Sequence, residues 1–181
     1  MLGGIGIIIE PIGEFPENEP APDGHRTKQH QGIRAALNTV RQTAVVPYAA
    51  GQMYALVNDI ESYPRFLPWC SDARVLTPGE RELTATLTLA AAGIRQSITT
   101  ANRMDPGRRI DVRLLQGPFR KLEGSWMFEG LPDGRCRVEL EMRFEFKSRL
   151  AELALHKPFN HIFHSMVDAF IRRAEQVHGQ R

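Results

Sequence analysis

Two histidines and an aspartate offer the first chemistry in this chain. His161, His164 and Asp168 stand three and four residues apart in FNHIFHSMVDAF (159–170), the helical spacing at which side chains share a face and metal ligands often recur. The same segment argues for water instead. With Phe163 and Phe170 marking its apolar stripe, His161 falls on the opposite side and His164 on the flank. Cys70, beside Trp69, is a thiol with no activating base near it in sequence, so a small buried residue is the simpler reading. Cys70 and Cys136 form no C-x-x-C pattern, which points to neither a zinc site nor a disulfide framework and fits a reducing compartment. P-loop, G-x-G-x-x-G and nucleophile-elbow patterns are absent from the sequence, and a non-catalytic protein is expected.

A second kind of chemistry, apolar recognition, is written into SYPRFLPWC (62–70). Tyr63, Phe66 and Trp69 give it much apolar surface, while Pro64 and Pro68 bar a long helix or a central strand, because each lacks an N–H and restricts the residue before it. The elements on either side must explain why such a segment is kept. Before it, NTVRQTAVV (38–46) is β-branched and reads as a strand, and Tyr48, Met53, Leu56, Val57 and Ile60 follow Pro47 near helical spacing. After it come about six alternating runs separated by TPGE (77–80), DPGR (105–108) and LPDGR (131–135), turns in which Pro presets φ and Gly supplies a positive one. In RVELEMRFEFK (137–147), Val138, Leu140, Met142, Phe144 and Phe146 alternate with charged residues, the pattern of an antiparallel strand with one wet face. Leu83, Ala85, Leu87 and Leu89 alternate with threonines in the same way, and Ile94–Arg103, Arg109–Leu115 and Leu122–Phe128 are further strands. AAAG (90–93) marks a strong bend or bulge.

The last element is helical. Leu155, Phe159, Ile162, Phe163, Met166, Phe170 and Ala174 recur at three- and four-residue steps, and Pro158 is expected to kink or restart the helix, leaving Ser148–His156 as a separate piece. The economical way to bury both stripes is an α+β fold in which one curved antiparallel sheet wraps a long C-terminal helix. Sheets of this kind often leave a hollow beside the helix.

The N-terminus reads differently. LGGIGIII (2–9) is too short to span a bilayer and lacks the flanks of a signal peptide, and the polar, breaker-rich stretch after it cannot bury enough surface to order itself. Residues 1–36 are expected to be a disordered extension and residues 37–178 the domain. Of the 23 basic and 21 acidic side chains, three and five lie in that extension, so the remainder carries a net charge of +4 and is only mildly basic.

The order of elements, together with VPYAAGQMYALVNDIESYPRFLPWC and LLQGPFRKLEGSWMF, resembles the START-like, or polyketide cyclase/dehydrase, superfamily, and within it the family of coenzyme Q-binding proteins and the ribosome association toxin RatA. The resemblance implies a helix-grip fold whose hollow binds ubiquinone or another prenylquinone. It implies that SYPRFLPWC lies over the cavity mouth, so that Tyr63, Phe66, Leu67 and Trp69 close it, with Phe119, Leu122 and Trp126 of the second motif facing the ligand. Phe144 from the sheet and Phe159, Phe163, Met166 and Phe170 from the helix complete the expected site. By alternation alone these residues fill a core equally well. At about 0.8 kcal/mol per buried methylene, three isoprene units would contribute roughly 10 kcal/mol, comparable with the ~4–15 kcal/mol cost of association.

The partners that follow are a hydrophobic small molecule, with a transient membrane contact, and no catalytic cofactor. Relatives in mitochondria carry an Arg-rich transit peptide, whereas the extension here holds five acidic residues, so a bacterial, cytoplasmic protein is expected. A ribosome partner is the alternative. It would use Arg103, Arg108, Arg109, Arg120, Lys121, Arg172 and Arg173 gathered on one face, against the interleaved Glu123, Glu129, Glu139, Glu141 and Glu145 that make an ordinary solvated sheet surface.

Overall fold

The computed structural model describes residues 7–8, 37–91 and 93–179. Strand β1 (Ile7–Ile8) precedes β2 (Asn38–Val46), helix α1 (Ala50–Asn58) and a 3-10 helix (Ile60–Arg65). A meander then runs through β3 (Cys70–Thr77), β4 (Glu82–Ala91), β5 (Ile94–Asp105), β6 (Arg109–Gln116), β7 (Phe119–Gly130) and β8 (Cys136–Phe146), and α2 (Arg149–His178) closes the chain. The strands form one antiparallel sheet in the order β1-β2-β8-β7-β6-β5-β4-β3. The expected α+β architecture, a sheet gripping a long C-terminal helix, is what forms.

Alternation drives it. In β8, Val138, Leu140, Met142, Phe144 and Phe146 are all buried, while the charged row between them faces out and pairs on the surface. Glu141 meets Arg41 of β2 at 2.8 Å, Glu145 meets Arg120 at 3.4 Å, and Arg137 meets Glu129 at 2.5 Å. Exposed pairs of this kind contribute little each. The inward row is what commits the sheet to α2, whose Leu155, Phe159, Ile162, Phe163, Val167 and Phe170 are buried against it.

Three expectations change. Ile7–Ile8 pairs antiparallel with β2, opposite Ala44 and Thr43, so the extension is not disordered throughout; the rest of residues 1–36 lies outside the described residues. Of the two readings of 90–93, the strong bend holds and the bulge does not: Ala91 pairs with Ile94, and Gly93 takes a positive φ of +77° where the chain reverses. Finally, α2 runs unbroken through Pro158. The carbonyl that Pro158 leaves without a donor belongs to Ala154, which is exposed, so water can satisfy it and the helix need not restart. Ser148 caps the start, its Oγ accepting from the Ala151 N–H at 3.1 Å.

One polar side chain pins α2 to the sheet. Gln42, 3% exposed on the inward row of β2, donates from Nε2 to the His164 carbonyl and accepts the Val167 N–H at 3.5 Å. Gln42→Leu keeps the bulk and loses both bonds. It is expected to lower the unfolding free energy by about 1–2 kcal/mol, read from urea denaturation.

Candidate functional site

The sheet and α2 do not touch everywhere. Between them lies a cavity of about 90 Å³. Its floor comes from inward rows of the sheet: Ala85, Leu87 and Leu89 of β4, Ile98, Thr100 and Asn102 of β5, Val112 of β6, Leu122 and Trp126 of β7, and Met142 of β8. Its roof is Ile162, Phe163, Met166 and Phe170 of α2, which share one face of the helix. Ile60, Tyr63, Leu67 and Trp69 close the remaining side.

Those last four residues answer why SYPRFLPWC is apolar yet irregular. The 3-10 helix and the turn after it fold the segment back over the sheet, where β3 and β4 take up the chain: the Ala90 N–H donates to the Trp69 carbonyl at 2.8 Å. Tyr63 is the keystone. Its hydroxyl donates to the Val57 carbonyl at 2.5 Å, and its ring packs edge-on against Phe170 at 5.3 Å. Burial raises the phenol pKa well above its ordinary value, so it stays neutral and keeps the proton that it donates.

The twelve residues singled out from the sequence divide. Tyr63, Leu67, Trp69, Leu122, Trp126, Phe163, Met166 and Phe170 line the cavity. Phe119, Phe144 and Phe159 do not: with Phe146 and Phe163 they form a packed ring cluster with centroids 4.8–6.2 Å apart. Here the rings of β7, β8 and α2 meet one another and fill the space between helix and sheet. Phe66 sits outside the cavity wall, against Phe170 at 5.2 Å and under the Arg173 guanidinium at 5.3 Å. The hollow is therefore short, bounded at one end by Phe163 and at the other by Tyr63, Trp126 and Phe170.

Two residues that sequence reasoning missed are Thr100 and Asn102. They lie two apart on the inward row of β5, between Ile98 and Met104. The register between β5 and β6 shifts at Thr99/Thr100, a bulge of the kind that re-aims side chains. The apolar neighbours at 98 and 104 were the available signal, but the opposite row, Thr99, Ala101 and Arg103, is mixed as well, so alternation did not choose a face.

The cavity wall carries no carboxylate, imidazole, amine, guanidinium or thiol. His161 is exposed, and among the described residues no three His, Cys, Asp or Glu side chains converge as metal ligands would. Burial pushes the thiols of Cys70 and Cys136 up to about 11, against about 8.5 for a free thiol. Both are expected to be silent toward a thiol reagent at pH 8 in the folded protein and to react, two per chain, once it is unfolded. Because the folded state holds these protons longer than the unfolded chain, their contribution to stability is intact below about pH 8.5 and is lost as pH rises toward 11.

The basic residues of β6 and β7 do not gather. Arg109 pairs in register with Met127 at one end of β7 while Arg120 and Lys121 sit at the other, about 20 Å away at strand rise. Arg109 binds Asp111 at 2.7 Å and Lys121 binds Glu123 at 2.8 Å.

Comparison with known proteins follows the same outline. The family model described as polyketide cyclase / dehydrase and lipid transport matches residues 46–171. The chain is 44% identical over 144 residues to a ribosome association toxin RatA of Vibrio cholerae, covering 80% of this chain and 100% of that one. It is 42% identical over 149 residues to the RatA of Escherichia coli K12, covering 82% and 94%. A coenzyme Q-binding protein COQ10 homolog B from Xenopus laevis is 27% identical over 145 residues, covering 77% and 59%. Among solved structures, an 18 kDa protein of Caulobacter crescentus is similar at a TM-score of 0.63 and 31% identity, covering 80% and 99%. The Zhui aromatase/cyclase of Streptomyces sp. R1128 shares the fold at a TM-score of 0.71 and 20% identity, covering 78% and 95%.

Proposed function

The chain belongs to the polyketide cyclase/dehydrase and lipid transport family, in the START-like branch that holds ribosome association toxins and coenzyme Q-binding proteins, and on that premise we propose that it binds a prenylquinone such as ubiquinone in its cavity. The observation that carries this reading is the enclosed apolar wall, broken only by uncharged polar groups. An uncharged, ring-headed lipid suits such a wall, since a charged head would be desolvated without a partner. With no carboxylate, imidazole, amine, guanidinium or thiol lining it, the site in this reading acts as a carrier and not as an enzyme. Residues 37–178 are the binding domain in this reading, and the cytoplasm is its place of work, in support of respiration.

Size refines the reading. A cavity of about 90 Å³ is well below the ~300–1,000 Å³ of pockets for drug-sized ligands. It is smaller than the ~150 Å³ apolar cavity that takes up a benzene ring, so in this reading the Ile60–Trp69 lid lifts to admit the head ring and the tail leaves past it. Loading from a bilayer needs a surface that touches one. Among the described residues no helix is long and apolar enough to cross a membrane. Leu150 and Leu153, 80% and 74% exposed on the first turns of α2, stand among Lys147, Arg149 and Lys157, an apolar patch with a basic rim suited to transient contact with anionic lipid.

The test is direct. The full chain, purified from a quinone-producing host and extracted with organic solvent, is expected to yield close to one prenylquinone per chain by mass spectrometry. A folded protein with none would overturn the proposal.

A second reading, ribosome binding that blocks subunit association, is favoured by the names of the relatives at 42–44% identity. Its surface would have to work with mixed charge, because Arg108, Arg109 and Arg137 share a groove with Asp105, Glu129 and Glu139. Co-sedimentation with ribosomal subunits at low salt, lost at high salt, is the expected signature of phosphate contacts; co-migration with neither subunit at low salt would remove this reading.

A further inference from the structure

We propose that Thr100 and Asn102 are the polar anchor of the cavity and that they take a carbonyl oxygen of the ligand's head group through the Asn102 amide. The proposal rests on the cavity's being a lipid site and names the head-group chemistry that such a site selects.

Both side chains point into the cavity and are 7% and 8% exposed. Thr100 Oγ1 donates to Asn102 Oδ1 at 2.9 Å. Among the described residues neither side chain has another hydrogen-bond partner in the protein. That one bond uses the hydroxyl proton and fixes the amide, so that Nδ2 and its two N–H donors are the groups left to meet whatever fills the hollow.

As packing alone, the pair is a poor choice. Valine and leucine would fill the same row without setting amide donors that have no acceptor in the protein against an apolar hollow. An acceptor brought in by the ligand removes that cost. The acceptor must be uncharged, because no cation lines the wall to compensate a carboxylate or phosphate. A quinone or ketone carbonyl meets this description. A quinol meets it less well, since its hydroxyl oxygen is a weaker acceptor than a carbonyl and its hydrogens must share the remaining lone pairs of Thr100 Oγ1 and Asn102 Oδ1, and a plain hydrocarbon gains nothing from the pair.

Calorimetric titration of the full chain with a decyl-substituted 1,4-benzoquinone, its quinol, and decylbenzene separates these outcomes. The wild-type chain is expected to bind the quinone about tenfold more tightly than decylbenzene, the worth of one good hydrogen bond. Asn102→Leu is expected to erase that difference, because the quinone loses its donor and decylbenzene meets a wall without unpaired N–H groups. Thr100→Val, which removes only the hydroxyl, is expected to weaken the quinone about threefold or more because the amide is no longer held. Should Asn102→Leu fail to fold, Thr100→Val carries the comparison alone. Quinone affinity unchanged in these variants would overturn the anchor and leave the lipid site standing. Tighter binding of the quinol than of the quinone would overturn the donor assignment. Failure of the wild-type chain to bind any of the three decyl compounds would overturn the lipid site and the anchor with it.

Discussion

Phe163→Glu is expected to empty the cavity of ligand and to cost the fold more stability at pH 7 than at pH 4. Phe163 is 4% exposed, packs 5.0 Å from the Phe144 ring and forms one end of the hollow. Removing the ring alone costs about 3–5 kcal/mol. The new carboxyl adds a second penalty, because burial raises its pKa above the ~4.3 of the unfolded chain. Below that value both states are protonated and the extra cost vanishes; as pH rises the unfolded chain ionises first, so the gap to wild type widens. Urea unfolding at the two pH values reads this, and an equal gap at both would mean that position 163 reaches water. Ligand loss by Phe163→Glu could be blamed on instability, and Ala85→Leu removes that objection. Ala85 is 1% exposed and lines the same cavity, so three added carbons occupy the hollow from the opposite wall. Ala85→Leu is expected to keep or raise stability while losing prenylquinone from the extract, and retained quinone at wild-type level would count against the cavity as the binding site.

Gly124→Ala is the second large effect, and a single methyl suffices. A Cβ at Gly124 would stand 2.2 Å from Met142 Sδ and 2.3 Å from the Glu141 carbonyl oxygen. The thioether can swing aside, at the expense of the cavity it lines, but the carbonyl belongs to the β8 backbone and moves only if the β7–β8 pairing opens. Gly124 pairs with Met142 on one side and Val112 on the other, so the damage falls in the middle of the sheet. A loss of about 3 kcal/mol or more is expected, a shift of roughly 1 M or more in the urea midpoint. Gly130→Ala, where nothing lies within 4 Å of the added carbon, is the control and should change stability by no more than about 0.5 kcal/mol. Equal midpoints for the two variants would refute the register on which the cavity floor depends.

How far a sequence carries can be judged from particular residues. Val138 to Phe146 alternate without a break, and Phe159 to Ala174 recur at helical steps; each pattern has one period and one solution, so a sheet wrapped on a terminal helix was legible before any coordinates. The SYPRFLPWC segment was legible as a cover for the same reason: two prolines and three aromatics leave a chain that must pack yet cannot pair. Alternation, however, reports which face a side chain takes and not how much room is left above it. Phe119, Phe144 and Phe159 face inward as expected and still miss the cavity, because there the rings of sheet and helix meet one another and fill the space. Pro158 obeyed its local rule by freeing a carbonyl, and only the exposure of Ala154 made that harmless. Thr100 and Asn102 were invisible for the converse reason: two polar residues in a strand read as surface until a neighbouring strand and a helix close over them. The sequence by itself determined the elements, their order and their apolar faces, since these follow from periodicity along one chain. The tertiary structure alone decided where the hollow lies and which polar groups it encloses, since both depend on distances between elements that no local pattern encodes.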